Sequence, residues 1–122
     1  MRIFHTMNFD LDSIKDVSPF IVNASFFIKP DKLDEFVKEI KKGIRETNEN
    51  EPDVLQFSAA LKGNRAFLWE VYKNKDTFID HMKNSPMFIV FQERQAEFVE
   101  GDFNVAYGLQ EIGSFHRTNT SL

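Results

Sequence analysis

The apolar and polar positions of the chain fall into alternating strand-like and helix-like segments. Phe20 to Lys29 alternates with period two, with Phe20, Val22, Ala24, Phe26 and Ile28 on one side and Ile21, Asn23, Ser25 and Phe27 on the other. This reads as a strand with one face of pure core. Pro30 and Asp31 end it, and Asp31 is placed to cap a helix. Asp34 and Glu35 fall in that helix's first turn, where carboxylates suit the dipole. Leu33, Phe36, Val37, Ile40 and Ile44 form its apolar stripe, and the other face is Lys, Glu and Arg. The pattern fades through Thr47–Asn50, and Pro52 prevents continuation.

Val54 to Leu61 is a second strand, with Leu55, Phe57, Ala59 and Leu61 on its apolar face. Lys62-Gly63-Asn64 is a hairpin-like turn into a third strand over 65–72, so these two strands should be antiparallel neighbours. In the third strand Phe67, Trp69 and Val71 form a bulky apolar side, expected to face a helix layer with Trp69 in the core. Its other side carries Leu68, Glu70 and Tyr72. Asn74 can cap a short helix through Asn84, buried by Phe78, Ile79 and Met82, and Ser85-Pro86 restarts a helix ending at Gly101. Asp102 to Ile112 is the last strand.

The order is β-α-β-β-α(α)-β, an α+β ferredoxin-like arrangement with a four-stranded antiparallel sheet. Residues 19–112 form the domain, residues 1–18 an N-terminal arm and residues 113–122 a polar tail. Helices of one subunit cover only one face of such a sheet. The other is expected to keep Ile21, Phe27, Leu68 and Tyr72, too much apolar area for water. A two-fold homodimer closing over that face is therefore expected, with a pocket between sheet and helices.

Composition narrows the class. The 122 residues suit one domain, and a 42% hydrophobic content with 14 Phe allows a sizeable core. Net charge is −4 with acids and bases interspersed, which argues against a nucleic-acid surface. The chain has no cysteine, so disulfide and thiolate chemistry are excluded. No apolar run approaches the ~20 residues of a membrane span, and 1–19 lack a signal-peptide pattern, so no membrane partner and a cytoplasmic location are expected. The few glycines make no phosphate-cradling loop. His5 and His116 lie in the ends without partners at metal-ligand spacing, so no metal site is expected.

Several segments together resemble the antibiotic biosynthesis monooxygenase family of dimeric α+β barrels, over about residues 20–110. They are Ile28-Lys29-Pro30-Asp31-Lys32, Asn50-Glu51-Pro52-Asp53-Val54-Leu55, Phe67 through Asn74, His81, and Ser85-Pro86-Met87-Phe88. Asp53 stands where the family usually has glycine, a departure that bears on the local turn. The resemblance implies one of three activities: cofactor-free oxygenation of quinols, haem degradation, or isomerisation of a small phosphorylated diketone. The haem-degrading branch has an Asn on strand one, a Trp ending strand three and a His ligand on the last helix. Those places hold Asn23 or Ala24, Tyr72 and Gln92, so haem degradation is not expected. The phospho-autoinducer-2 isomerase is similar over the Glu70-x-Tyr72-Lys73 segment and the spacing from His81 to Ser85-Pro86.

Oxygenation without a cofactor requires a base that turns a phenol into an electron-rich anion inside a dry pocket. The candidate catalytic residues are His81 for proton transfer, Glu70 to orient it or pair across the dimer, and Tyr72 to hydrogen-bond the substrate. Asn23 is a second substrate donor, and Phe27, Leu68 and Phe91 are pocket walls. Each has a structural alternative: a helix-border histidine bonded to a carboxylate, an interface acid paired with Arg or Lys, a core-edge phenol, a strand Asn serving the backbone. The expected function is a cofactor-independent monooxygenase acting with O₂ on a small quinol-type substrate. A diketone isomerase and a non-catalytic small-molecule-binding module are the alternatives.

Overall fold

The computed structural model describes residues 10–117. Its elements are β1 (Phe20–Ile28), α1 (Leu33–Asn50), β2 (Val54–Lys62), β3 (Arg65–Tyr72), α2 (Lys75–Asn84), α3 (Pro86–Phe98) and β4 (Val99–Leu109). The strands form one antiparallel sheet in the order β2-β3-β1-β4, and the helices pack on one face. This is the expected ferredoxin-like order, with the second helix broken at Ser85-Pro86.

β1 is an inner strand, and its alternation sets the faces. Phe20, Val22, Ala24, Phe26 and Ile28 are all buried beneath the helices. Phe26 meets Phe36 of α1 edge-on at 5.9 Å, Phe91 of α3 at 5.3 Å and Phe103 of β4 at 5.0 Å between ring centres. Phe20 stacks on Phe78 of α2 at 5.2 Å. Such ring pairs add to plain area burial.

The structure reverses the two sides of β3. Val22 pairs with Glu70 and Ala24 with Leu68, and directly opposed residues share a face. Ala66, Leu68, Glu70 and Tyr72 therefore turn toward the helices, and Phe67, Trp69 and Val71 turn away. Trp69 and Phe67 are 40% and 37% exposed, so Trp69 is not a core residue of the single chain. Leu68 and Tyr72 leave the outer face, while Ile21 and Phe27 stay on it. The reason is that β1 carries five consecutive alternate core residues, and pairing imposes its facing on β3.

Element ends also differ from the sequence reading. Pro30–Lys32 form a 3-10 turn, and α1 starts at Leu33 with no side-chain cap from Asp31. α1 does not fade at Thr47, because Thr47 is buried with its Oγ1 3.5 Å from the Met87 sulfur. Asn74 caps α2 as expected, its Oδ1 accepting from the Thr77 amide at 2.9 Å. Ser85 precedes α3 without capping it through its side chain. β4 begins at Val99 rather than Asp102, since Val99 and Glu100 already pair with Ile28 and Phe27. Gly101 adopts φ +80°, a left-handed conformation within the strand that favours glycine.

α1 and α3 approach closely at Gly43, where an added Cβ would lie 2.8 Å from the Met87 Cβ. An ion network joins the same helices. Arg94 of α3 bonds Glu35 of α1 and Glu97, and Lys32 reaches Glu97 at 3.2 Å. Hydrogen bonding from Arg94 holds the Glu97 carboxyl down at about 2.

In the arm, Leu11 is buried with Phe20, Val22 and Tyr72, and the Lys75 ammonium donates to the Ile14 carbonyl at 2.7 Å. Residues 1–9, with His5, lie outside the described residues. Residues 110–117 are exposed and form no helix or strand.

Phe26→Ala should cost about 3–5 kcal/mol of stability, the range for an aromatic truncated in a packed core. Urea denaturation should show a lower midpoint with an unchanged slope.

Candidate functional site

The helix-facing side of the sheet and the three helices enclose a cavity of about 100 Å³, roughly the room for a one-ring molecule. Its walls are mostly apolar: Val22, Ala24 and Phe26 from β1, Leu68 from β3, Phe36 and Ile40 from α1, and Phe88 and Phe91 from α3. Phe57 of β2 and Met87 also contribute. Glu39, Lys42 and Glu46 of α1 line it with partly or fully exposed side chains, which gives the cavity a polar rim. Its buried polar members are Glu70 and His81, joined by the half-buried Tyr107.

Glu70 reaches the cavity because β3 presents it beside Val22. It is 6% exposed, and its Oε1 accepts a hydrogen bond from the Tyr72 hydroxyl. Burial pushes the Glu70 carboxyl up to about 7, and the Tyr72 bond only partly offsets this. The Tyr72 phenol is itself raised well above its ordinary range, first by burial and then by the charge of Glu70. Burial and Glu70 likewise raise Tyr107. Near neutral pH the cavity therefore holds a carboxyl poised between its two forms, and the phenols of Tyr107 in its wall and Tyr72 behind Glu70 keep their protons.

His81 lies on α2, 1% exposed, with the Tyr72 ring at 5.4 Å, Phe57 at 5.9 Å and Phe88 at 6.1 Å. Its Nδ1 is 2.8 Å from Glu51 Oε1. Its Nε2 is buried and has no hydrogen-bond partner among the described residues. Glu51 Oε2 in turn accepts from the Ser85 hydroxyl at 2.8 Å.

The sequence candidates thus divide. His81, Glu70, Leu68 and Phe91 line one cavity, and Tyr72 stands behind Glu70 as its donor. Asn23 and Phe27 do not belong to it, because the β1 alternation turns them to the outer face. There Asn23 donates to the Leu68 carbonyl at 3.0 Å, and Phe27 lies against the Arg65 guanidinium. Ala24, not Asn23, is the β1 residue facing the cavity near that level. The carboxylate against His81 is that of Glu51, and Glu70 bonds Tyr72 instead. Gln92 is not among the lining residues. Among the described residues no group of three or more His, Asp or Glu is placed to hold a metal ion.

The family model for antibiotic biosynthesis monooxygenases matches residues 19–94. The chain belongs to the antibiotic biosynthesis monooxygenase family. A search of curated proteins gives no match. Solved structures agree on the fold of this family. A Bacteroides thetaiotaomicron protein provisionally named an antibiotic biosynthesis monooxygenase is 19% identical with a TM-score of 0.72, covering 83% of this chain and 97% of its own. A Nitrosomonas europaea protein of unknown function scores 0.70 at 8% identity, covering 84% and 97%. A Mycobacterium tuberculosis protein scores 0.66 at 21% identity, covering 79% and 100%. At these identities the likeness is one of fold.

Sequence reasoning missed Glu51 and Tyr107 as members of the site. Glu51 stood in the Asn-Glu-Pro segment already matched to the family, but its partner lies 30 residues away. Tyr107 faces the cavity because β4 pairs it with Val22, a register that the periodicity of β4 alone does not give.

The raised Glu70 carboxyl carries a stability signature. The unfolded chain loses this proton near the ordinary glutamate value of 4.5, and the folded protein keeps it to about 7. Stability should therefore fall as pH rises from about 4.5 to 7, with the full cost above that window. Glu70→Gln should remove this dependence and gain on the order of 3 kcal/mol at pH 8 over wild type. Denaturation midpoints of both proteins across pH 4–8 measure it.

Proposed function

We propose that the protein is a cofactor-independent monooxygenase that oxidises a small quinol-type aromatic with O₂. The observation that carries this reading is the buried, unpartnered Nε2 of His81 at the wall of an apolar cavity. An imidazole nitrogen there can take a phenolic proton, and surrounding rings keep water from competing. The Leu68, Phe57 and Phe91 side chains would hold the ring. Tyr107 would hydrogen-bond the second oxygen, and Glu70, backed by Tyr72, would set the charge beside it.

The quinol hydroxyl gives its proton to Nε2, and the anion passes one electron to O₂. The two radicals join as a ring peroxide anion, which takes the proton back from Nε2 to become a hydroperoxide, and loss of one water leaves a hydroxyquinone and a neutral imidazole. Family membership supports this reaction class. Two proton-exchanging groups in one cavity, Glu70 and His81, also suit a diketone isomerase that shuttles a proton between carbon and oxygen.

The active form is a homodimer closed over the outer face of the sheet. Phe27, Phe67 and Trp69 leave large apolar side chains there, each more than a third exposed. Such a patch fits a two-fold contact better than water.

Oxygen-electrode assays with a hydroquinone panel test the reaction. Turnover should drop about 10²–10⁴-fold in His81→Ala, the usual worth of a general base. Anaerobic conversion of a diketone would favour the isomerase, and binding without turnover a non-catalytic module. Sedimentation should give a dimer for the wild type and a monomer for Trp69→Glu.

A further inference from the structure

The hydrogen bonds around His81 say more than that it lines a cavity. Its Nδ1 faces Glu51 Oε1 at 2.8 Å, and the Ser85 hydroxyl supplies a proton to the other carboxylate oxygen at 2.8 Å. Both parts are anchored in the backbone. Glu51 ends α1, with its amide on the Thr47 carbonyl at 2.9 Å and its carbonyl accepting from Val54 at 3.0 Å. Ser85 is 3% exposed at the joint between α2 and α3, with its amide on the His81 carbonyl at 3.0 Å. A carboxylate only accepts, so the shared hydrogen must sit on Nδ1. In a neutral ring that leaves Nε2 bare.

We propose that Glu51, fixed by Ser85, is a positioning residue that holds the Nδ1 proton of His81 and so presents a bare Nε2 to the cavity, which then selects small ring ligands bearing a hydroxyl proton. This rests on the reading of His81 as the proton acceptor and narrows it. A ligand offering only a carbonyl or ether oxygen would meet a lone pair with its own lone pairs, while a phenol or enol would donate. When Nε2 takes that proton, Glu51 faces the imidazolium directly and spares it from being a buried charge alone.

Long-range ¹H–¹⁵N correlation on the labelled full chain reads the tautomer directly, with the His81 signals identified by their loss in His81→Ala. The native protein above pH 7.5 should show a protonated Nδ1 and a bare Nε2. Glu51→Ala should move the proton toward Nε2, and Ser85→Ala should leave a mixture. Titration with phenol should perturb the Nε2 signal and bind at least about tenfold more tightly than anisole, which has the ring but no hydroxyl proton. A protonated Nε2 in the native spectrum overturns the proposal without any variant. Unchanged tautomers in Glu51→Ala, or equal affinity for phenol and anisole, also overturn it. None of these readouts needs turnover, so absence of oxygen uptake would remove the oxygenase reading and leave this one standing.

Discussion

The antiparallel pairing of β1 with β3 is the constraint on which the rest depends. It sets Val22 against Glu70 and Ala24 against Leu68, so a buried carboxyl group enters a chamber whose walls are mostly apolar. The same pairing puts Asn23 against Trp69 and Ser25 against Phe67 on the opposite face. Side chains alternate with period two, so a shift of one residue would exchange both sets at once. Chamber chemistry and outer-face greasiness are therefore two results of one register.

The helices then add what the sheet lacks. α2 delivers His81 over the Tyr72 ring, and the joint at Ser85-Pro86 swings α3 across the chamber to bring Phe88 and Phe91. The end of α1 brings Glu51 to the same joint. Three separate chain reversals thus converge on one imidazole, which is why the ring can be buried while both its nitrogens have defined surroundings. The ion network of Arg94 with Glu35 and Glu97 ties α1 to α3 farther along the pair.

Much of this was legible in the sequence. The element order, the β1 core face and the Asn74 cap all follow from local periodicity and punctuation. What was not legible is whatever depends on pairing. Phe67, Trp69 and Val71 look like the core side of β3 because each strand was weighed alone, where bulk and polarity are the only guide. The neighbouring strand overrules that guide. Asn23 and Phe27 were misplaced relative to the chamber although β1's own alternation already turns them to the outer face. Glu51 was hidden differently: a carboxylate after a helix end looks solvated until the ring 30 residues later is brought beside it.

Gly43 has a further consequence. Because a Cβ there would collide with Met87, the separation of the two helices and the width of the chamber are governed by a single absent methyl group. Met87 is both the contact and a chamber wall, so any enlargement at position 43 must either prise the helices apart or drive thioether into the ligand space. At that point chamber size cannot be traded without also trading compactness.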